Sequence, residues 1–518
     1  MKRKEKNFIP DLEAAKATLF AYKRQKGALE ARLKAEEEIW SNIYSSNRSS
    51  SWIFNSIVNK HADIIDSMPS FHCLPREKRD EQVADKLTKI VPVICDRAGI
   101  KQVYSDNAWE KLKHGTAMWG IFWNPMLEDG LGDIDLKSVS ISDVFWEMGV
   151  SDIQDSKSLF VVSSADVDAI EASYPHFRYS ENRAADSTVA STLGYSVSSD
   201  GKCVVVDHYY KRYLGGGRSV LHICKFCGDT VLYCSEGDAN FPDGWYSHGL
   251  YPIVVDKLYP CNEGICGFGL IAIAADLQDY INRVDENMMS YSDWASRVRF
   301  WAKRSLGVNE REFMDLKRPI VEVEGDIDEE KLRQIEISPI DDSVMDCKRM
   351  KIEELKEITG ARDVSQGGIT GGVTAASAIS VLREAGAKSS RDGIEESYRA
   401  FVKIISLVIE LVGEFYISSR VFRITGEGDA RGYLHMSGKE LAFAEDGYRP
   451  HFDIEVAAAK SSPSEAKEKN QLASSLYSLG AFEREKVKGT LMMLDLMDFD
   501  GIEKLKSSLR REYVEGGI

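Results

Sequence analysis

No apolar run in this chain reaches the ~20 residues a helix needs to span a membrane. The best candidate, residues 401–417, is interrupted by Lys403, Glu410 and Glu414 and reads as a core helix. Basic charge is in deficit: 66 Lys and Arg stand against 82 Asp and Glu in 518 residues, a formal net charge of −16. Non-specific affinity for DNA comes mainly from cations that neutralise phosphates, so a protein that coats nucleic acid is excluded and any duplex partner is not gripped tightly. The N-terminal MKRKEKNFIPDLEAAK is basic but has no apolar stretch and no small-residue cleavage site. No secretory signal is therefore expected, and the product is expected in the cytosol.

Catalytic signatures are missing too. There is no His-Glu-x-x-His, no Gly-x-Ser-x-Gly elbow, no Walker A lysine and no EF-hand loop. The nine histidines are scattered; His72 beside Cys73 and His248 after Trp245-Tyr246 have no second histidine at ligand spacing, so each reads as structural. The acidic pairs Asp341-Asp342 and Glu353-Glu354 fit helix capping and solvated faces better than acid–base work. No enzyme activity, cofactor or metal is expected. The nine cysteines are an odd number in a large chain, which favours free thiols over a disulfide framework. Cys224-Lys-Phe-Cys227 with Cys234, Cys261 and Cys266 could supply zinc thiolates, but Cys261 and Cys266 have four residues between them. Cys227-Gly228-Asp229 lies between two alternating apolar runs, and a hairpin turn accounts for it without metal.

What is present is ordinary globular usage, 43% apolar and 29% charged, enough for a large core. The length suits three or four packing units or one elongated architecture. Residues 11–39 carry a charged, Ala-rich helical pattern that restarts at 51–67 after the polar break 45–50. Helix-period burial continues to about residue 120 through Leu87, Ile90, Val91, Val93, Ile94, Ala108, Leu112 and Ala117. Short strands are then expected at 119–123, 132–139 and 159–163, with a turn at Glu128-Asp129-Gly130. Residues 176–200, rich in Ser and Asn, read as a mobile loop. Strands resume at 204–213, 220–224, 231–234 and 253–258, and no internal repeat is detectable.

From residue 273 a heptad seam appears. Leu277, Val284, Tyr291 and Val298 recur every seven residues, and Ile281, Met288 and Ala295 form a second series four positions behind the first. One helix over 273–303 would be about 46 Å long and needs a long partner surface. That partner is either another helix of the same chain or a neighbouring copy, since heptads do not say whose helix they meet. Residues 306–337 are short and mixed, with a helical turn expected at 310–316 and strands at 319–323 and 334–337. Charge there is divided: residues 297–318 hold seven basic and three acidic side chains, and residues 322–336 hold seven acidic and two basic. Such blocks suit either two solvated faces or a head-to-tail contact between copies.

Asp341-Asp342-Ser343 is a good N-cap for a second helix that ends at Thr359-Gly360. A loop with four glycines follows, but it lacks the Gly-Lys-Ser/Thr ending and preceding strand of a phosphate-binding loop. A long helix from residue 375 to 417 is expected to be interrupted, with a kink, at Gly386 and Gly393. Its last part puts Phe401, Ile404, Ile405, Val408, Leu411, Val412 and Phe415 on one face and Lys403, Glu410 and Glu414 on the other. Strands at 421–424 and 452–456 and helices at 471–480 and 484–497, the helical section opening at Ser462-Pro463-Ser464, complete the chain.

This succession resembles the portal proteins, or head-tail connectors, of tailed bacteriophages. Residues 264–282, with Gly267-Phe268-Gly269 leading to Gln278 and Asn282, look like the start of the family's stem helix. Ile358-Thr359-Gly360-Ala361-Arg362-Asp363-Val364 through Ala376-Ser377-Ala378-Ile379 and Leu382 look like its second stem helix, tunnel loop and following helix. The resemblance covers roughly residues 40–500, and its strength lies in the order of parts.

It implies an α+β, portal-like architecture with an α/β wing, long stem helices, a small mixed clip, a kinked tunnel helix and a helical crown. On this chain those parts would be an N-terminal helical arm (1–39), wing (40–270), first stem helix (271–297), clip (298–340), second stem helix (341–359), tunnel loop (360–377), kinked long helix (378–417), wing return strands (418–458) and crown (459–518). The crown is short and shows no extended barrel helix, a departure from the family pattern. The implied function is a ring of about twelve copies of the chain at one capsid vertex. That ring would be a conduit for packaging and ejection of double-stranded DNA and a docking platform for the terminase large subunit and the head-tail adaptor. Major capsid and scaffolding proteins would be further partners, in the virion and, during assembly, in the host cytoplasm, with no membrane.

The residues that would carry these roles are Arg362, Gln366, Gly367, Gly368, Thr370, Gly371 and Gly372 in the DNA-channel loop, where Arg362 is the basic residue for a phosphate contact. Leu277, Ile281, Val284, Met288, Tyr291, Ala295 and Val298 would pack the stem. Arg311, Lys317, Arg318, Glu322, Glu324, Glu329 and Glu330 would serve the clip and motor docking. An acidic protein and a Gly/Thr-rich loop suit a duplex that must slide, because only backbone-type contacts are offered. Two other readings stay open: a DNA- or nucleotide-acting enzyme with an unrecognised site, and a zinc-stabilised interaction protein built around Cys224 and Cys227.

Overall fold

The computed structural model describes residues 11–45, 51–66, 68–195, 201–214, 219–261, 264–296, 300–302, 311, 332–334, 341–360, 376–425, 431–442, 448–458, 463–479 and 487–497, with positions 502, 505, 506 and 509 beyond. Helices and strands are both abundant, as an α+β chain requires. The N-terminal arm is two helices and not one. Asp11 caps α1 (Leu12–Gln25) by accepting from the Ala14 N–H at 3.1 Å. The helix stops at Lys26, whose ammonium turns inward to donate to the carbonyls of Ile141 and Val144 and lies over the rings of Phe145 and Trp146. α2 (Gly27–Ser45) then restarts.

After α3 (Trp52–Asp66) comes a strand that the helical pattern concealed, β1 (Pro69–Pro75), which buries Phe71 and Cys73 and pairs antiparallel with the distant segment Phe452–Ala458. α4 (Glu81–Arg97) and α5 (Ile100–His114) follow. Gly115, at φ 77°, ends α5, so Ala117 belongs to β2 (Thr116–Asn124) and not to a helix. β2 is the middle of a three-stranded antiparallel sheet between β3 (Asp133–Val139) and the later strand Ile253–Lys257. The Glu128-Asp129-Gly130 turn connects β2 to β3 with positive φ at all three residues.

A five-stranded antiparallel sheet follows in sequence order: β4 (Val144–Trp146), β5 (Ser158–Asp166), β6 (Lys202–Tyr213), β7 (Ser219–Cys227) and β8 (Thr230–Cys234). The β7–β8 connection is the expected tight hairpin, with Gly228 at φ 56°. Between β5 and β6 lie α6 (Val167–Ser173) and α7 (Tyr179–Leu193). Residues 196–200 lie outside the described residues, and α7 stands where the first part of the mobile loop was expected. The reason is a buried stripe, Asn182, Asp186, Val189, Ala190 and Leu193, which together with α1 closes over Phe160, Val162, Val204, Val206 and Phe226 of the sheet. The hydroxyls that suggested a loop lie outside, and Thr188 and Thr192 donate to carbonyls four residues back.

The chain continues through β9 (Ile253–Lys257), β10 (Tyr259–Pro260), β11 (Gly267–Phe268) and α8 (Leu270–Ser296). α8 ends before the predicted 303, because Phe300–Ala302 is a strand, β12, paired with β13 (Leu332–Gln334). The strand expected at 334–337 therefore lies slightly earlier. The turn and strand expected at 310–316 and 319–323 fall outside the described residues, apart from the helical Arg311. α9 (Asp342–Thr359) begins as predicted, with Asp341 accepting from the Ser343 N–H, and stops at Gly360 with φ 69°.

α10 (Ala376–Phe415) runs without interruption through Gly386 and Gly393, so the expected break is absent. At Gly393 the missing side chain serves packing instead: a Cβ there would meet Leu258 Cδ1 at 2.8 Å. Phe401, Ile404, Ile405, Val408, Leu411 and Val412 are buried as predicted, each worth about 1.5–3 kcal/mol by area removed from water. No helix among the described residues is long and apolar enough to cross a membrane. All three polar positions of α10 are engaged: the exposed Lys403 pairs with Asp152 at 2.7 Å, Glu410 pairs with Arg449, and Glu414 is largely covered and accepts from the Ser247 N–H at 2.8 Å. β14 (Arg420–Thr425) forms a hairpin with the unpredicted β15 (Arg431–Met436), β16 (Phe452–Ala458) closes on β1, and α11 (Pro463–Ser478) and α12 (Val487–Leu496) follow.

A buried polar cluster ties α10 to the three-stranded sheet. The Lys111 ammonium of α5 donates to Asp256 Oδ1 at 2.5 Å, Ser397 Oγ at 2.6 Å and the Gly393 carbonyl at 2.8 Å, and Ser397 donates to Asp256 Oδ2 at 3.1 Å. Burial pushes the Asp256 carboxyl up, and Lys111 opposes that shift. Lys111→Met leaves a buried carboxylate without its cation and should cost about 3–5 kcal/mol, read as a lower urea midpoint; Lys111→Met with Asp256→Leu should recover most of the loss. Glu414 makes a second prediction. Desolvation by burial raises its pKa to about 7, against the pull of the Ser247 N–H. The folded state thus holds a proton that the unfolded chain releases near pH 4.5. Stability should fall as pH rises from there through about 7, and Glu414→Gln should flatten that part of the stability–pH curve in urea unfolding.

Candidate functional site at the root of the paired helices

α8 leaves the body of the protein from a joint built of glycine. Gly115 has φ 77°, and a Cβ on it would fall 2.0 Å from the Phe268 carbonyl carbon. A Cβ on Gly267 would lie 2.3 Å from the Tyr259 oxygen, and one on Gly269 would lie 2.2 Å from the Lys113 oxygen. The Gly267-Phe268-Gly269 motif is thus a place where three backbone segments touch, a distance that only glycine permits. Thr116 Oγ1 accepts from the Gly267 N–H at 2.8 Å, and Arg32 donates to the Gly267 carbonyl at the same distance.

More than two turns further along, Gln278 reaches the first turn of α3. Its Oε1 accepts from the backbone N–H groups of Trp52 at 3.0 Å and Ile53 at 3.3 Å, and its amide donates to Asn282 Oδ1 at 2.8 Å. The first N–H groups of a helix have no partner within it, so α8 caps α3 from outside. The C-terminal end of α9 reaches the same first turns of α3: Thr359 Oγ1 donates to its own Leu355 carbonyl at 2.8 Å and lies 3.1 Å from Ser56 Oγ, and Lys356 lies over the Trp52 ring. Along their length the two helices are tied by Lys348 to Asp285 and by Tyr280 to Cys347 at 3.1 Å.

The predicted packing residues divide along α8. Ile281 and Val284 are buried and Leu277 is partly buried against the main core. Met288 and Tyr291 are half-buried, Ala295 is exposed, and Val298 lies outside the described residues. The inner half of the seam is therefore satisfied by the same chain, chiefly α3 and α9, and among the described residues burial falls off along the outer half, to an exposed Ala295. Tyr280 and Met289 on α8, with Val344, Met350 and Ile358 on α9, are large apolar side chains left exposed; Met289 is 57% and Met350 65% exposed. Polar charge on α8 is one-sided, five acidic residues against Arg283.

Of the clip residues, Arg311 is exposed, and Lys317, Arg318, Glu322, Glu324, Glu329 and Glu330 lie outside the described residues. So do Arg362, Gln366, Gly367, Gly368, Thr370, Gly371 and Gly372 of the loop; its two ends, Gly360 and the start of α10 at Ala376, are described. β12 and β13 show that the basic and acidic blocks of this region begin and end side by side in one chain. The thiols once considered for zinc do not converge. Cys224 faces Cys234 across the hairpin, Cys227 lies with Cys203 and Asp186, and Cys261 and Cys266 sit on the approach to α8. Among the described residues no group of three or more His, Cys, Asp or Glu could hold a metal ion. Lys111, Asp256 and Ser397 were not singled out from sequence, and nothing in their local pattern marks them.

The sequence profile of the phage P22-like portal protein family matches residues 54–214 and 218–517. Among solved structures the chain is similar to one described as belonging to the virion of a native gene transfer agent (GTA) particle, with a TM-score of 0.39 and 13% identity, over 85% of this chain and 89% of that one. No curated protein matches.

Replacing Gln278 by Leu removes both acceptor bonds to the α3 N-terminus and should cost about 1–2 kcal/mol, the usual worth of a helix cap. Gln278→Glu keeps an acceptor at the positive end of the helix and should stay within about 0.5 kcal/mol of the parent. Thermal unfolding of the two variants checks this; equal losses in both would mean that the side chain acts by packing and not as a cap.

Proposed function

This chain belongs to the phage P22-like portal protein family, and we propose that about twelve copies close into a ring at one capsid vertex. The ring is a conduit through which double-stranded DNA enters and leaves. It is a structural part, with ATP hydrolysis residing in a separate terminase motor whose large subunit, like the head-tail adaptor, docks on the clip at 298–340. Residues 40–270 and 418–458 form the wing that meets capsid and scaffolding proteins, α8 and α9 form the stem, residues 360–377 form the tunnel loop and residues 459–518 the crown.

The observation that carries the reading is the pair α8 and α9, rooted firmly on α3 at one end and left with exposed Tyr280, Met289, Val344, Met350 and Ile358. Nine residues separate Tyr280 from Met289, about half a turn in angle, so the exposed side chains lie on opposite sides of the pair; a ring places a neighbouring copy on each side and repeats one contact by closed rotational symmetry. The acidic bias of α8 and of the whole chain suits a passage that must not hold phosphates. In the loop, Gly367, Gly368, Gly371 and Gly372 offer backbone without side chains, and Arg362 supplies one cation for a phosphate; neither reads sequence.

Electron microscopy of the purified chain should show rings with a central hole. Met289→Lys with Met350→Lys should give a folded protein, unchanged in circular dichroism, whose assembly is at least about tenfold weaker, since each buried methionine is worth about 1.5–3 kcal/mol. Rings that persist in the double variant would remove this face from the interface. Gly367→Ala with Gly368→Ala should leave rings intact and lower DNA packaging; loss of rings would assign the loop to assembly.

A further inference from the structure

The β7–β8 hairpin carries a thiol arrangement that the conduit does not use. Cys224 and Cys234 are directly opposite one another in the antiparallel ladder. The neighbouring residues Ile223 and Ser235 are hydrogen-bonded across the strands, Ser235 N–H to Ile223 carbonyl at 2.9 Å. Because hydrogen-bonded and non-hydrogen-bonded pairs alternate along such a ladder, Cys224 and Cys234 occupy a non-hydrogen-bonded pair, where Cα atoms are about 4.5 Å apart and side chains are closest. That separation falls within the roughly 4.4–6.8 Å over which a disulfide forms without moving the backbone.

The two thiols also differ in kind. Cys224 is buried, and Cys234 is partly exposed at the end of β8, the edge strand of the five-stranded sheet. The Cys224 thiol donates toward Cys234 and the Glu236 backbone N–H also favours its thiolate, which outweighs burial and the nearby Glu236 charge and holds the Cys234 thiol below the ordinary range. By the same contact and by burial, Cys224 keeps its proton. Cys203 and Cys227 form a second neighbouring pair, but both are buried beneath α7, with Cys227 directed to Asp186.

We propose that Cys224 and Cys234 are a redox-responsive pair that a small-molecule disulfide converts to a cross-strand bond, stapling the edge strand β8 to β7. The Cys234 thiolate attacks one sulfur of the oxidant, forming a mixed disulfide and expelling one thiolate. Cys224 then gives up its proton to solvent and attacks Cys234 sulfur, expelling the second thiolate. Two protein thiols are oxidised and one disulfide is reduced to two thiols.

The test is incubation of the full-length protein with oxidised glutathione, alkylation, and non-reducing tryptic mapping, since cleavage after Lys225 separates Cys224 from Cys234. A Cys224–Cys234 linked peptide, with Cys203 and Cys227 recovered alkylated after unfolding, is expected. In Cys224→Ser, glutathione should remain trapped on Cys234, and in Cys234→Ser no adduct should form at Cys224; circular dichroism confirms that both variants fold. Free thiols at both positions, a glutathione adduct on Cys234 that is never resolved in the parent protein, or linkage of Cys203 to Cys227 instead would each overturn the proposal.

Discussion

A pair of helices that leaves a protein body must be fixed at its base, because its outer half has few contacts of its own with which to choose a direction. In this chain the fixing is polar and backbone-directed. Gln278 satisfies the first N–H groups of α3, and Thr359 meets Ser56 one turn along the same helix. α3 is thus the reference from which both projecting helices are aimed. An apolar contact in that place would tolerate sliding by a residue or a turn, whereas a hydrogen bond to a particular N–H has one register. The exposed side chains of α8 and α9 can be presented in a defined orientation only because the base is specified in this way.

The body supports that base by close approach. At Gly115, Gly267 and Gly269 the room for a side chain is already occupied by backbone, so α5, β11 and the start of α8 meet as three main chains. The Lys111 cluster then links α5 and β9 to α10, which in turn stacks Phe415 on Trp123 at 4.6 Å and seats Tyr416 on Asp133 at 2.6 Å. Movement of α10 relative to the sheet would break an ion pair that water cannot replace in the interior, and strand β3 would lose its contact with the end of the helix. Position is therefore carried from the sheet to both α8 and α10.

How much of this could be read from the residues follows from how local each signal is. The caps of α9 at Asp341 and Gly360, the β7–β8 turn and the buried face of α10 each depend on neighbours a few residues away, and they stand where the pattern put them. β1 depends on a partner nearly four hundred positions later, so Phe71 and Cys73 gave only a faint alternation. α7 was hidden by composition: its Ser and Thr suggested a loop, but burial of Val189, Ala190 and Leu193 on the sheet outweighs weak helix propensity. Gly393 misled in the opposite direction: a glycine that costs about 1 kcal/mol in an isolated helix stands here inside a continuous helix, close against Leu258 and with its carbonyl bonded by Lys111. At the site, the heptad residues were legible but their partner was not, since a seam has the same spacing whether its inner half meets α3 or its outer half meets another copy. Gln278 was noticed as a position in a motif; its capping role needed the three-dimensional approach of α3.

The segment proposed to face DNA lies between two anchored ends. Thr359 and Gly360 hold one side to α3, and Gly393 and Ser397 of α10 hold the other to Lys111. Those anchors stand outside residues 361–375, and the proposed contact with DNA falls on that segment's own composition. Four glycines give up side-chain contacts and cost conformational entropy on ordering, a poor choice for a segment meant to stabilise the body. The same choice is sensible for a segment that touches a moving polyanion through backbone alone, with one guanidinium to register phosphates and an acidic surround to prevent them from being held. Separation of anchoring from contact is what allows one part of the chain to be rigid in direction and another to be permissive in sequence.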